Sequence, residues 1–91
     1  MKTSLELLPL QTPRQLPVLL KALRKRRGLT QAQVAARLGV KQARYATIEA
    51  HPETVSTGQL LDVLAVLGVD VLFRVRPDSG SARAAAEGED W

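Results

Sequence analysis

A mostly α-helical domain of four to five helices, closed by one C-terminal β-strand, is the fold this sequence predicts. Three observations carry that expectation. Residues 30–50, TQAQVAARLGVKQARYATIEA, have the spacing of two short helices joined at Gly39. Polar residues in capping-box spacing stand at Thr12/Gln15, Thr30/Gln33 and Ser56/Gln59, and Gly28, Gly39 and Gly68 close the apolar-periodic stretches. Residues 69–76 then switch to alternation at period two.

Taken in order, residues 1–11 form an apolar arm without a firm assignment, its Leu5, Leu7 and Leu8 followed by Pro9. Thr12-Pro13-Arg14-Gln15 opens the first helix, with proline at the first helical position, where its missing N–H costs nothing. Pro17, one turn in, predicts an irregular start or a helix that regularises only from Pro17. Leu16, Leu20 and Leu23 make its inward stripe, flanked by Leu19. The basic run Arg24 to Arg27 suits the negative end of the helix dipole, and Gly28 is the stop.

The second helix points Val34, Ala35 and Leu38 inward, and Val40 plugs the turn after Gly39. In the third, Tyr45 and Ile48 face the core, while Lys41, Gln42, Ala43, Arg44, Ala46 and Thr47 are left outside. His51-Pro52-Glu53 ends that helix and opens a loop, with His51 an exposed loop residue. The fourth helix is expected to bury Leu60, Leu61, Leu64 and Leu67 and to stop at Gly68.

In the run that follows, Val69, Val71, Phe73 and Val75 share one face, and Asp70, Arg74 and Arg76 the other. A lone strand has no ladder partner. The simplest partner is the same strand of a second copy across a two-fold axis. Pairing with the arm near residues 4–8, or both together, is the alternative. From Pro77 the chain becomes small, polar and acidic, a composition expected to stay disordered. Trp91 there is either incidental or an apolar anchor for a partner's pocket. The organisation expected is therefore an arm (1–11), a helix-turn-helix domain (12–68), a dimerisation strand (69–76) and a disordered tail (77–91).

Ninety-one residues allow one small domain, whose core must be Leu, Val and Ala because Tyr45, Phe73 and Trp91 are the only aromatics. A core of that size is marginal, and dimerisation adds buried area. There is no cysteine and a single histidine, which excludes disulfides, thiolate metal sites and a histidine-based cluster or triad. No nucleophile–base pair or phosphate loop appears, so neither enzyme chemistry nor a cofactor is expected. No apolar run approaches the roughly 20 residues of a transmembrane helix. The first residues, with Glu6 inside a short apolar run, make a poor signal peptide, so a cytoplasmic protein is expected.

The net charge of +4 hides an asymmetry. Up to Pro77 there are 12 Lys and Arg against 5 acids, giving +7; from Asp78 onward, one Arg against four acids gives −3. Residues 7–48 hold nine basic residues and no acid: Arg14, Lys21, Arg24, Lys25, Arg26, Arg27, Arg37, Lys41 and Arg44. A basic stripe over a helix-turn-helix is the footprint of a polyanion binder, with double-stranded DNA the natural partner. Lys41 and Arg44 can meet phosphates, Gln42 a base edge, and Ala43 and Thr47 a thymine methyl or base edge. Gln31, at the first position of the second helix, can reach a phosphate. A dimer of such units needs a roughly palindromic operator.

Residues 31–49 with Gly39 resemble the Xre/Cro type of helix-turn-helix. More narrowly, Pro13-x-Gln15-Leu16, Gly28-x-Thr30-Gln31, Val40-Lys41-Gln42-Ala43, and Glu49 followed by Pro52 are similar to the HipB-like antitoxins of the HipA/HipB toxin–antitoxin family. The C-terminal strand and a short tail with Trp91 match as well, so the resemblance covers residues 12–91. It implies a homodimer with a shared strand pair, repression of its own operon, and binding of a HipA-like serine/threonine kinase toxin. It also implies that the tail with Trp91 touches the toxin or marks the antitoxin for proteolysis. By family position Gln42, Ala43, Ala46 and Thr47 face bases, while Gln31, Lys41 and Arg44 lie near phosphates. Glu49 is implied to pair with Arg24 between the first and third helices. Lys41 for the usual Ser or Thr cap, Ala46 for the common Ser, and Arg44-Tyr45 for Thr-Ile depart from the pattern and bear on the operator sequence rather than the fold. Beside the antitoxin stand a repressor without a toxin and a module using its basic face on another polyanion.

Overall fold

The computed structural model describes residues 6–78. Among these, four α-helices follow one another: α1 (Leu16–Arg26), α2 (Gln31–Leu38), α3 (Gln42–Ala50) and α4 (Thr57–Val66). A 3-10 turn at Pro13–Gln15 leads into α1, and a second at Pro52–Thr54 bridges α3 and α4. The irregular start expected around Pro17 is this turn. Gln15 Oε1 accepts from the backbone N–H of Gln11 at 2.6 Å and of Thr12 at 2.9 Å, and Pro17 then falls in the first turn of α1. A proline there loses no ladder bond, because the first four N–H groups of a helix have no partner within it.

The starts of α2 and α4 follow their caps. The Thr30 hydroxyl accepts from Gln33 N–H at 3.1 Å and Gln33 Oε1 accepts from Thr30 N–H at 2.8 Å, a complete reciprocal box. At α4 only half of the expected box closes. Ser56 Oγ accepts from Gln59 N–H at 3.0 Å, but the Gln59 side chain turns to Arg44 instead. The stops at Gly28, Gly39 and Gly68 all have φ between +70° and +76° and share one hydrogen-bond pattern. The residue after each glycine donates back five residues: Leu29 to Arg24 at 3.1 Å, Val40 to Ala35 at 3.0 Å, and Val69 to Leu64 at 2.8 Å.

The core gathers Leu20 from α1, Val34 and Ala35 from α2, Tyr45 and Ile48 from α3, Val63 from α4, and Leu67. Leu23, Leu38, Val40, Leu60, Leu64 and Val69 pack around it. One expectation needs correction. Leu61 is 46% exposed, and Val63, not Leu61, is fully buried. At about 100° per residue, 60, 63, 64 and 67 form one stripe and 61 lies at its margin. Pro52, expected in an open loop, is buried, while His51 is exposed as expected.

Across the far end, Arg27 Nε donates to the Leu67 carbonyl at 3.0 Å, tying the C-terminus of α1 to that of α4. Residues 69–78 have no regular structure in the single chain, and residues 6–11 likewise, so the stretch expected as a strand at 69–76 finds no ladder partner among the described residues of one chain. An isolated extended segment has nothing to satisfy its ladder. Beyond Val69 it exposes its side chains, Phe73 at 93% and Val75 at 89%. No helix among the described residues is long and apolar enough to cross a membrane.

Candidate nucleic-acid interface

The outer face of α3 is built by what its inner face must bury. Tyr45, Ile48 and Glu49 are buried, which rotates Gln42, Ala43, Arg44 and Thr47 outward, together with Lys41 just before the helix. Ala46, expected outside, is half-buried at the margin. Lys41 takes the N-cap position in extended conformation but caps nothing with its side chain, so the lysine for Ser or Thr departure leaves its amine for other partners. The Thr47 hydroxyl donates to the Ala43 carbonyl at 3.2 Å, one turn back. Arg44 Nη2 donates to Gln59 Oε1 at 2.8 Å, which anchors the α3 cation to the first turn of α4.

Behind this face lies the one buried ion pair of the described residues. Arg24 Nε donates to Glu49 Oε2 at 2.7 Å, Arg24 Nη2 to Glu49 Oε1 at 3.1 Å, and Arg24 Nη1 to the Leu29 carbonyl at 2.9 Å. Gln31 Nε2 adds a third donor to Glu49 Oε1 at 3.1 Å. The pairing that the resemblance implied for Arg24 and Glu49 is thus present. Gln31, expected to reach a phosphate, places its side-chain amide against Glu49, and its placement at the first position of α2 leaves the backbone N–H for an outside acceptor. One carboxylate therefore fixes α1, the start of α2 and the end of α3 relative to each other.

Burial alone would raise the Glu49 pKa, but the Arg24 hydrogen bonds, then that from Gln31, outweigh it and hold the carboxyl below its ordinary value. The Glu49 carboxylate in turn holds Arg24 firmly protonated. The wholly buried Tyr45 hydroxyl lies beside Glu49 short of hydrogen-bond geometry and has no other partner. Burial, then that neighbouring charge, push its phenol far above the usual range. A depressed carboxyl contributes stability that is complete above the unfolded value of about 4.3 and is lost as pH falls through the folded value. Urea denaturation should accordingly show stability falling only below about pH 4 on account of this group. Glu49→Gln should remove that acid step, and an unchanged acid decline in the variant would place its origin elsewhere.

Gln59 was missed by sequence reasoning, which used it only as a cap; a polar residue three after Ser56 gives no sign of a partner 15 positions earlier. Of the residues expected at a dimer seam, Val69 is half-buried against the core, and Val71, Phe73 and Val75 are exposed. Trp91 lies outside the described residues. No group of His, Cys, Asp or Glu that could hold a metal occurs among the described residues.

The family model for the helix-turn-helix domain matches residues 15–73. Two solved structures are similar to this chain. One is a HipB–O1–O2 complex, whose HipB chain is 25% identical, with a TM-score of 0.67 over 76% of this chain and 100% of that one. The other is a complex of a serine-to-alanine HipB variant with an O2 20mer, at 25% identity and a TM-score of 0.68 over 79% of this chain and 100% of that one. No curated protein matches the chain. The family match spans most of the molecule and includes every helix built above, so the chain belongs to the helix-turn-helix domain family, as a HipB-like protein of the Xre type.

Proposed function

We propose that this chain is a sequence-specific DNA-binding antitoxin, a homodimer that represses its own operon and binds a HipA-like serine/threonine kinase toxin in the cytoplasm. The observation that carries the DNA part is the exposed face of α3, with Lys41, Gln42, Ala43, Arg44 and Thr47 outward on a domain with no acid between residues 7 and 48. The likeness to HipB complexes supports the same part. In this reading residues 12–68 read DNA, residues 69–76 pair across the dimer through Val69, Val71, Phe73 and Val75, and Trp91 in the tail 77–91 meets the toxin. The operator is roughly palindromic, with half-sites about one helical turn apart. A repressor without a toxin is the second reading, favoured by the fact that all structural support falls on the helix-turn-helix unit.

Gln42 is the base reader in this assignment. Gln42→Ala should cost about 1–3 kcal/mol of operator affinity and relax specificity at one position per half-site. Unchanged binding to a panel of single-base operator variants would remove Gln42 from the base-reading set. Lys41 acts on phosphates, so Lys41→Ala should weaken all duplexes similarly and flatten the salt dependence. A change confined to one base pair would count against that role. For the toxin, tagged protein co-expressed with its genomic neighbour should retain a kinase-like partner, and retention should fall without residues 78–91. A clean preparation with no partner leaves the second reading.

A further inference from the structure

We propose that the acidic stretch 87–91, Glu-Gly-Glu-Asp-Trp, seats in the groove between α1 and the α2–α3 pair, where it competes with DNA. The competition half rests on the DNA reading above; the seating does not. The groove has a volume of about 610 Å³ and is open to solvent. Its walls are Pro17, Val18, Lys21 and Lys25 of α1 and Ala46 and Ala50 of α3. Arg24 and Glu49 at its base neutralise each other, which leaves Lys21 and Lys25 as the net charge it offers. None of the described carboxylates pairs with either lysine. Val18, 71% exposed, supplies apolar surface beside them.

Two ammonium groups over an apolar trough suit a ligand that carries carboxylates next to a large hydrophobe. The chain has one such segment: Glu87, Glu89 and Asp90 adjoining Trp91. The nine residues that carry the chain from Asp78 to Glu87 span roughly 30 Å when extended, a reach between the 20 Å and 37 Å shorter extents of the fold. Tethering supplies an effective concentration of order millimolar, enough for a weak contact to be populated. Gln31 and Ala46 line the groove and also belong to the expected DNA face, so a seated segment and a duplex exclude each other. Salt weakens both contacts by screening.

Trp91 is the only tryptophan of the chain and reports on its own location. In the full chain at low salt its emission should be blue-shifted and protected from acrylamide, and both effects should fade as salt rises. Lys21→Glu with Lys25→Glu should return it to free-indole emission, as should Glu87→Gln with Glu89→Gln and Asp90→Asn. The neutralised segment should also raise affinity for a random-sequence duplex several-fold. Both lysines are exposed, so far-UV circular dichroism verifies that the fold survives. Free-indole emission at every salt concentration would overturn the seating, and protection persisting through both charge changes would place the indole elsewhere. Protection that responds to both changes while duplex affinity stays fixed would uphold the seating and overturn the competition.

Discussion

Arg24→Ala should lower the unfolding free energy by roughly 3–5 kcal/mol, because it leaves the Glu49 carboxylate buried without its cation. The two side chains are only 11% and 6% exposed, so solvent screening offers little relief. Two further losses accompany the charge: the Leu29 carbonyl loses its Arg24 donor, and Gln31 is left as the sole hydrogen-bonding partner of Glu49. Domains of this size have a total stability of about 5–15 kcal/mol, and each kcal/mol moves Tm by about 4–8 °C. The variant should therefore melt at least ~12 °C lower. Replacing both partners with apolar residues, Arg24→Met with Glu49→Leu, should recover much of the loss, since the uncompensated charge is gone. Thermal and urea unfolding of wild type, single and double variants measures this directly. A single variant within about 1 kcal/mol of wild type would mean the pair behaves as a surface ion pair.

Phe73→Asp should convert the proposed dimer to monomer. In the single chain Leu72, Phe73 and Val75 are 74%, 93% and 89% exposed, an apolar run that a soluble domain ordinarily covers. Aspartates at the centre of an antiparallel seam would face each other and be desolvated. The helical domain itself should be unaffected, because Phe73 lies outside the core. Operator affinity should fall by about 10²–10⁴, the advantage of engaging two half-sites through one linked molecule. Sedimentation and operator titration on the same preparation decide the matter. A variant that still sediments as a dimer refutes the strand pairing.

The helical frame was readable from the sequence because its determinants are local. Thr30 and Gln33 meet within one turn, Gly28, Gly39 and Gly68 act on their own backbone, and the inward positions of α2 and α3 alternate with polar residues. Helix α4 was harder. Its run Leu60-Leu61-Asp62-Val63-Leu64-Ala65-Val66 is apolar nearly all round, so periodicity alone does not fix its rotation or separate the exposed Leu61 from the buried Val63. The contacts that position the site were less legible still. Gln31 on Glu49 and Arg44 on Gln59 join residues 18 and 15 positions apart, and the outward face of a helix carries no sign of which side chain will be held. The resemblance supplied Arg24 with Glu49, where composition could not. The alternation at residues 69–76 gives a pattern without a partner, and the partner is what makes a strand.

The Arg27 bond to the Leu67 carbonyl acquires a mechanical meaning once the chain is set in a dimer. It bridges 40 positions of sequence and clamps the point where the chain leaves α4. The leaving residue, Gly68, is held at φ +76°, with the Arg27 guanidinium over the space a side chain would occupy. In the proposed dimer, residues 69–76 therefore start as an outrigger bolted to the frame that carries α3, rather than as a swinging tether. The two-fold axis and the recognition helices then turn together, and protein phase is locked to the pitch of the duplex. Spacing between half-sites becomes a property of the scaffold, set far from any residue that touches a base.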